Sequence, residues 1–186
     1  ALTVPASSPG NDTTPTFNVD GVVSGDTVEL YSDASCSTSI GSATSTGTDQ
    51  DVTTNVLGEA SYTVYADSTD PAGNTSTCSS ANAAYVLDTT PPTKPSGLTL
   101  NTPATSPNND TTPTINIAGL TSGNDVTLFT DSGCTSQVAT GTSGAASHAL
   151  TSVALGDATH DFYATTTDVA GNESACSTAT VQYVLD

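Results

Sequence analysis

The sequence SPGNDTTPTFNVDG at residues 8–21 decides the fold, because it returns as SPNNDTTPTINIAG at residues 106–119. The two stretches lie 98 positions apart, and laying residues 1–88 over residues 99–186 without a gap gives 40 identical positions. Self-similarity at a fixed period indicates tandem copies of one structural unit. Two shorter stretches repeat with the same offset: LYSDASC (30–36) as LFTDSGC (128–134), and AYVLD (84–88) as QYVLD (182–186).

The repeat also predicts the domain boundaries. We expect a first module at residues 1–88, a Pro-rich linker at residues 89–95, and a second module at residues 96–186. The linker sequence, TTPPTKP, favours an extended and semi-rigid connection because proline restricts the backbone.

Within each copy, short runs of alternating apolar and polar residues are separated by clusters of Gly, Asn, Asp and Ser, which is typical of β-strands joined by turns. In the second copy these runs predict seven strands, near residues 98–102, 114–118, 126–130, 137–142, 147–153, 160–167 and 178–185. Seven short strands in about 90 residues are typical of an immunoglobulin-like sandwich. We therefore predict an all-β fold of two tandem seven-stranded immunoglobulin-like β-sandwiches stacked end to end.

Charge excludes several classes of partner. The chain has 19 acidic residues and one basic residue, Lys94, so its formal net charge is −18. Nucleic-acid binding relies on Lys and Arg to neutralise phosphates, so we expect no nucleic-acid partner. The apolar runs are far shorter than the roughly 20 residues of a membrane-spanning helix, so we expect no membrane insertion. The negative charge also favours a monomer.

Three sets of motifs carry a family resemblance: NDTTPT (11–16 and 109–114), TDPAGNTS with TDVAGNES (69–76 and 167–174), and YVLDTTPPTKP (85–95). They resemble the bacterial Ig-like repeats of large surface adhesins and biofilm-associated proteins, and the resemblance covers essentially the whole chain. It implies an extracellular, non-enzymatic stalk segment (an extender) whose partners are neighbouring Ig-like modules of the same chain. In relatives of this type, calcium often stiffens the joints between modules. The two cysteines in each copy depart from the commonest form of the family, so no disulfide pairing carries over.

Ten of the acidic residues form pairs that occupy the same position in both copies: Asp12/Asp110, Asp33/Asp131, Glu59/Asp157, Asp70/Asp168 and Asp88/Asp186. Successive strands of the predicted sandwich alternate in direction, so each loop belongs either to the leading end, where the chain enters a module, or to the trailing end, where it leaves. The trailing end of the first copy then carries four of these acids: Asp12, Asp33, Glu59 and Asp88. The leading end of the second copy carries Asp168 and, in the same turn, Asn172. We therefore expect these side chains to meet at the joint.

Carboxylates that lie close together favour a bound cation. Two unit charges 4 Å apart repel by about 1 kcal/mol in water and by about 4 kcal/mol at an effective dielectric constant near 20. Ca²⁺ binds six to eight hard oxygen ligands, which carboxylates, carbonyls and the Asn172 amide can supply. The hypothesis is a Ca²⁺ that bridges the modules, with Asp88 as the ligand from the linker. The alternative is that Asp and Asn in these loops only form turns, by hydrogen bonds to the nearby backbone.

The four cysteines also repeat with the offset of 98. Cys36 follows the third strand, at the trailing end, whereas Cys78 follows the sixth strand, at the leading end. A six-residue strand separates two such loops by roughly 20 Å, and a disulfide needs Cα atoms no more than about 7 Å apart. This argument favours an inter-module disulfide between Cys36 and Cys176. The alternatives are a disulfide within each copy, Cys36–Cys78 and Cys134–Cys176, or unpaired thiols.

The sequence favours a spacer over a recognition module or an enzyme. No histidine is common to both copies and no Gly-x-Ser-x-Gly motif is present, so we predict no catalytic site. The competing hypothesis is a ligand-binding adhesin module that recognises a glycan or an ice surface through a flat, Thr-rich face. The near-identity of the copies favours the spacer, because a recognition site usually makes one copy diverge.

Overall fold

The computed structural model describes residues 1–186, except for the side chain of Leu2. The chain divides into two compact units, Ala1–Thr89 and Thr90–Asp186, which we call module 1 and module 2. All regular structure in the described residues is β-strand, so this part of the chain has no helix that could cross a membrane.

Each module contains seven strands. Those of module 1 are β1 (Leu2–Val4), β2 (Thr16–Asp20), β3 (Thr27–Tyr31), β4 (Ser39–Thr44), β5 (Asp49–Thr53), β6 (Ala60–Thr69) and β7 (Ala83–Leu87). Those of module 2 are β8 (Gly97–Thr102), β9 (Thr114–Ala118), β10 (Asp125–Phe129), β11 (Gln137–Thr142), β12 (Ser147–Thr151), β13 (Ala158–Thr167) and β14 (Val181–Leu185). Every strand predicted in the second copy is present. The largest difference is in the last strand, which begins at Val181 rather than near residue 178.

The strands form where alternate side chains can be buried. In β10, Val126 and Leu128 are buried and Thr127, between them, is only partly buried. In β9, Ile115 and Ile117 are buried in the same alternation. β-branched residues suit this half-buried, pleated arrangement, and it fixes which face of each strand points to the core.

The two sheets of each module are antiparallel. In module 1 the strand orders are β1-β2-β5 and β4-β3-β6-β7, and in module 2 they are β12-β9-β8 and β11-β10-β13-β14. Successive strands therefore alternate in direction, as the sequence predicts. Because seven is an odd number, the chain enters each module at one end and leaves it at the other.

One hydrophobic cluster lies between the sheets of each module, as in a β-sandwich. The largest fully buried side chains include Tyr85 and Phe17 in module 1, their counterparts Tyr183 and Ile115 in module 2, and Phe162 in module 2. The Tyr85 hydroxyl donates a hydrogen bond to the Asp12 carbonyl oxygen at 2.8 Å, and Tyr183 donates to Asp110 at 2.7 Å. Each tyrosine thus ties the last strand of its module to the loop before the second strand. The prediction of an all-β fold with two seven-stranded immunoglobulin-like sandwiches is confirmed.

Candidate functional site: the trailing end of module 1 and the disulfide-closed loops

Three of the predicted metal ligands lie at the trailing end of module 1. Asp88 directly follows β7, and its amide donates a hydrogen bond to the Gly10 carbonyl oxygen at 3.0 Å. Glu59 directly precedes β6, and its carboxylate accepts hydrogen bonds from the Thr89 amide at 3.2 Å and the Thr89 hydroxyl at 2.8 Å. Asp12 lies two residues after Gly10. The loop assignment is therefore correct for Asp12, Glu59 and Asp88.

The Asp12 carboxylate also stabilises its own turn. It accepts hydrogen bonds from the Thr14 amide at 2.8 Å and the Thr14 hydroxyl at 3.2 Å. Asp110 repeats this arrangement with Thr112, at 2.9 Å and 3.1 Å. The repeated NDTTPT motif thus encodes an Asx-type turn before the second strand of each module.

Asp33 does not lie at the trailing end, and the prediction for this residue was wrong. β3 ends at Tyr31, which pairs with Tyr65 in the middle of β6, whereas the trailing end of β6 is Ala60, opposite Leu87. The Asp33 carboxylate is turned into its own loop, where it accepts hydrogen bonds from the hydroxyl and amide of Ser35, and from the Thr38 amide at 2.7 Å. These hydrogen bonds, first that of the Ser35 hydroxyl, lower the pKa of Asp33 well below its usual range.

The same loop-closing role falls to Asp131 in module 2. Its carboxylate accepts hydrogen bonds from the amides of Gly133, Thr135 and Ser136, the last at 2.5 Å. The hydrogen bond from the Ser136 amide is the main reason that the pKa of Asp131 is lowered. Asp33 and Asp131 thus accept hydrogen bonds from the backbone of their own loops, as the turn-forming alternative predicts.

Asp168 and Asn172 form one turn at the leading end of module 2. This turn follows Thr167, the last residue of β13, which pairs with Asp125 at the start of β10. The Asp168 carboxylate accepts hydrogen bonds from the Ala170 and Asn172 amides, both at 2.9 Å, and from the Asn172 side-chain amide at 3.1 Å. The position of these two residues within their own module is as predicted.

Asp70 and Asn74 form the equivalent turn of module 1. The Asp70 carboxylate accepts hydrogen bonds from the Asn74 amide and the Asn74 side chain, both at 2.9 Å. The hydrogen bond from the Asn74 side chain is the main cause of the lowered pKa of Asp70. The repeated Asp-x-Ala-Gly-Asn motif therefore encodes a closed turn, stabilised by its own side chains.

The inter-module disulfide between Cys36 and Cys176 is contradicted. Cys36 is bonded to Cys78, with 5.7 Å between their Cα atoms, and Cys134 is bonded to Cys176, with 5.9 Å. The structure thus has the alternative pairing, one disulfide within each module.

The reason lies in the loop after β6. After the turn at residues 70–74, the chain runs back alongside β6: the Ser76 amide donates to the Ser68 carbonyl at 2.9 Å, and the Ser79 amide donates to the Ala66 carbonyl at 2.8 Å. Cys78 is therefore carried from the leading end to the middle of the ten-residue strand β6. The loop that contains Cys36 begins at the same level, because Tyr31 pairs with Tyr65. The sequence argument placed Cys78 at the strand end and overestimated the separation.

In the described residues of either module, acidic, His and Cys side chains alone do not form a metal site. Among the described residues of either module, no three His, Cys, Asp or Glu side chains form a group that could hold a metal ion. A calcium site at the trailing end would therefore need carbonyl oxygens or ligands from a neighbouring module. The calcium hypothesis stays a prediction.

Sequence reasoning missed an acidic pair that only module 1 has. Glu29 in β3 faces Asp67 in β6, and the Tyr31 hydroxyl donates a hydrogen bond to the Glu29 carboxylate at 3.0 Å. Burial raises the pKa of Asp67, with a contribution from Glu29, and burial also raises the pKa of Tyr31. A comparison limited to positions shared by both copies could not find this pair, because module 2 has Thr127 and Thr165 there.

Comparison with known families identifies the modules. Residues 8–89 match the sequence model of a family described as "Bacterial Ig-like domain". Module 1 is a bacterial Ig-like domain. Module 2 shares 40 of 88 aligned positions with it and has the same strands and the same disulfide. The resemblance found in the sequence is therefore confirmed, and we call the two units bacterial Ig-like modules.

Two solved structures are similar to this chain. A biofilm-associated protein, titled "BSP domain", is 22% identical over 94% of this chain, with a TM-score of 0.33. The fibronectin(III)-like modules of CbhA from Clostridium thermocellum are 15% identical, with a TM-score of 0.50, and cover 100% of this chain and 93% of theirs. The chain spans about a quarter (27%) of the biofilm-associated structure. No curated protein matches the sequence at a significant level.

Proposed function

We propose that the two bacterial Ig-like modules form a structural, non-enzymatic stalk segment of a long bacterial surface adhesin, located outside the cell. The observation that carries this proposal is the alternation of seven strands, which makes the chain enter a module at one end and leave it at the other. A module with this property can be repeated in tandem without the chain having to turn back. The match of residues 8–89 to the bacterial Ig-like family and the adhesin-like motifs support the same function.

The disulfides fit a stalk that works outside the cell. Disulfides persist in oxidising, extracellular surroundings and are rare in the cytosol. Each one closes a loop within its own module, so a module keeps this constraint whatever its neighbours do. A chain under tension benefits from such internal closure, because the residues inside the loop cannot be extended.

A calcium ion at the joint is the finer part of the proposal. Asp88 and Glu59 flank the point where the chain leaves module 1, and Asp12 lies in the loop bonded to the last strand. All three positions are acidic in both copies. Oxygen ligands of this kind suit Ca²⁺ better than Mg²⁺, which demands a more regular octahedral site. The bound ion would neutralise the carboxylates and restrict the linker.

The stalk function is tested by measuring shape and binding together. Small-angle scattering of the 186-residue chain should give an elongated particle, and a glycan array and an ice-affinity assay should give no binding. A specific hit in either binding assay, lost on substitution of threonines on one sheet face, would establish the recognition function instead.

Calcium is tested separately, by isothermal titration and by the melting temperature with and without a chelator. Asp88→Asn should abolish the calcium-dependent rise in melting temperature. Asp186→Asn removes the equivalent side chain of module 2. No further module is joined to Asp186 in the 186-residue test protein, so this variant should leave the rise unchanged. The same melting temperature in calcium and in chelator, for the parent protein, would refute the ion while leaving the stalk function standing.

A further inference from the structure

Two pairs of acidic residues face each other across neighbouring strands of module 1. Glu29 in β3 lies opposite Asp67 in β6, and Asp20 in β2 lies opposite Asp49 in β5. Like charges directly opposite each other destabilise a sheet. Module 2 has uncharged residues in all four places: Thr127, Thr165, Ala118 and Ser147.

The two pairs differ in their exposure to water. Asp20 and Asp49 are both exposed, so salt and water screen their repulsion, and the Asn18 side chain donates a hydrogen bond to Asp49 at 3.1 Å. Glu29 and Asp67 are half-buried on β3 and β6, the two central strands of the larger sheet, where screening is weaker. We call Glu29 and Asp67 the inner acid pair.

A buried hydroxyl accompanies the inner acid pair. Tyr31 lies two residues after Glu29, on the same face of β3, and its hydroxyl donates a hydrogen bond to the Glu29 carboxylate at 3.0 Å. A hydroxyl carries one proton, so it cannot donate a full hydrogen bond to both carboxylates at once. The counterpart of Tyr31 in module 2 is Phe129, so the hydroxyl is present only in the module that has the acids.

No basic side chain of module 1 offsets the charge of the inner acid pair, because residues 1–89 contain no Lys, Arg or His. Strand β4 and the segment 75–80 beside β6 carry no ionisable group apart from Cys78, which is disulfide-bonded. Three titratable groups lie on the other elements around the pair: Tyr65 opposite Tyr31, Asp33 in the loop after β3, and Asp20, which borders the same surface hollow as Asp67. All three are neutral or negative at pH 7, so none of them can neutralise the pair.

We propose that the inner acid pair takes up one proton in mildly acidic surroundings and that this proton stabilises module 1. Directly opposite residues of an antiparallel pair have Cβ atoms about 4.5–5.5 Å apart, so the two carboxyl groups can share a hydrogen bond. The protonated carboxyl donates to the ionised one, and a repulsion between β3 and β6 becomes an attraction. Module 2 lacks the pair and gains nothing from this proton. The proposal does not depend on calcium or on the stalk function.

The direction of the pH effect follows from Asp67. Burial raises the pKa of Asp67 despite a hydrogen bond from Tyr31, and the charge of Glu29 adds to the rise. The folded state therefore binds the proton at a higher pH than the unfolded chain, in which Asp has a pKa of about 3.9. The added stability is absent at pH 7, grows as the pH falls through the raised pKa, and is complete below about pH 4. Asp33, with its lowered pKa, acts in the opposite direction below about pH 4, so variants are needed to separate the two effects.

The test compares the full chain with Asp67→Asn and Asp49→Asn by urea denaturation at pH 7 and pH 4, with a chelator present. Each variant removes one negative charge from an opposed pair, but only Asp67 belongs to the inner acid pair. At pH 7, Asp67→Asn should lower the unfolding equilibrium constant of module 1, because asparagine cannot ionise. The ratio of the parent constant to the variant constant should fall at least about threefold at pH 4. The same ratio for Asp49→Asn should change by less than about 1.5-fold.

A second measurement uses the parent protein and holds even where Asp67→Asn does not fold. The ¹³C NMR signal of the Asp67 carboxyl should titrate with a midpoint above about 3.9, the value for Asp in an unfolded chain, and Glu29→Gln should lower that midpoint. A midpoint at or below this value would overturn the proposal. Equal changes of the two ratios between pH 7 and pH 4 would also overturn it, because the effect would then come from net charge and not from the inner acid pair.

Discussion

Removal of the Cys36–Cys78 disulfide should destabilise module 1 by an amount that follows from the loop it closes. The two cysteines are 42 residues apart in the sequence. In the chain-entropy account, a closed loop of this length restricts the unfolded state by about 4 kcal/mol at 25 °C. For a domain of this size, such a loss lowers the melting temperature by about 15–30 °C.

The perturbation is the double variant Cys36→Ala/Cys78→Ala, followed by urea denaturation under non-reducing conditions. The matched control is Cys134→Ala/Cys176→Ala, which opens a loop of the same 42-residue separation in module 2. Hydrogen exchange assigns each transition to its module. Each double variant should lower the unfolding free energy of its own module and leave the other module unchanged.

The same variants test the mechanical role of the disulfide. In single-molecule stretching, the intact disulfide shields about 42 residues of module 1 from extension. At about 3.5 Å per residue, the double variant should lengthen on unfolding by roughly 150 Å more than the parent. An unchanged urea midpoint, or an unchanged extension, would refute the reasoning that the loop between these cysteines is closed in the folded module.

Three further predictions concern single side chains. Phe162→Ala should destabilise module 2 by about 3–5 kcal/mol in urea denaturation, because Phe162 is fully buried; a loss below 1 kcal/mol would contradict the described core. Tyr85→Phe should cost about 1–2 kcal/mol by leaving the Asp12 carbonyl without its partner, whereas Tyr62→Phe removes only a solvent-exposed hydrogen bond to the Gly58 carbonyl and should cost less than about 0.5 kcal/mol. Asp33 has a lowered pKa in the folded state, so its contribution to stability is complete above about pH 4 and is lost as the pH falls towards the lowered pKa. Asp33→Asn should therefore flatten the acid limb of the stability curve below about pH 4, and an unaltered limb would show that the loop hydrogen bonds do not contribute.

The strands were predictable because each one is a local pattern. In β9 and β10, apolar residues alternate with polar ones and the flanking turns are rich in Gly, Asn and Asp, so both the existence and the bounds of these strands follow from short-range preferences. The repeat gives each strand pattern twice, so every strand can be predicted from two stretches of the sequence.

The candidate site was predictable only where a residue adjoins a strand end. Asp88 and Glu59 directly flank strands, so the alternation of strand direction places them correctly at the trailing end. Asp33 lies in a longer loop, and its position depends on how far β3 extends along β6, which is a matter of pairing register. Register is a property of how two strands pair, so the sequence of one strand alone does not determine it.

The sequence by itself determined that this protein is two copies of one all-β module, because repetition and alternation are properties of the chain order. Only the tertiary structure decided that Cys36 pairs with Cys78. That pairing depends on the segment after β6 folding back through hydrogen bonds from Ser76 and Ser79, which carries a distant cysteine to the middle of the sheet.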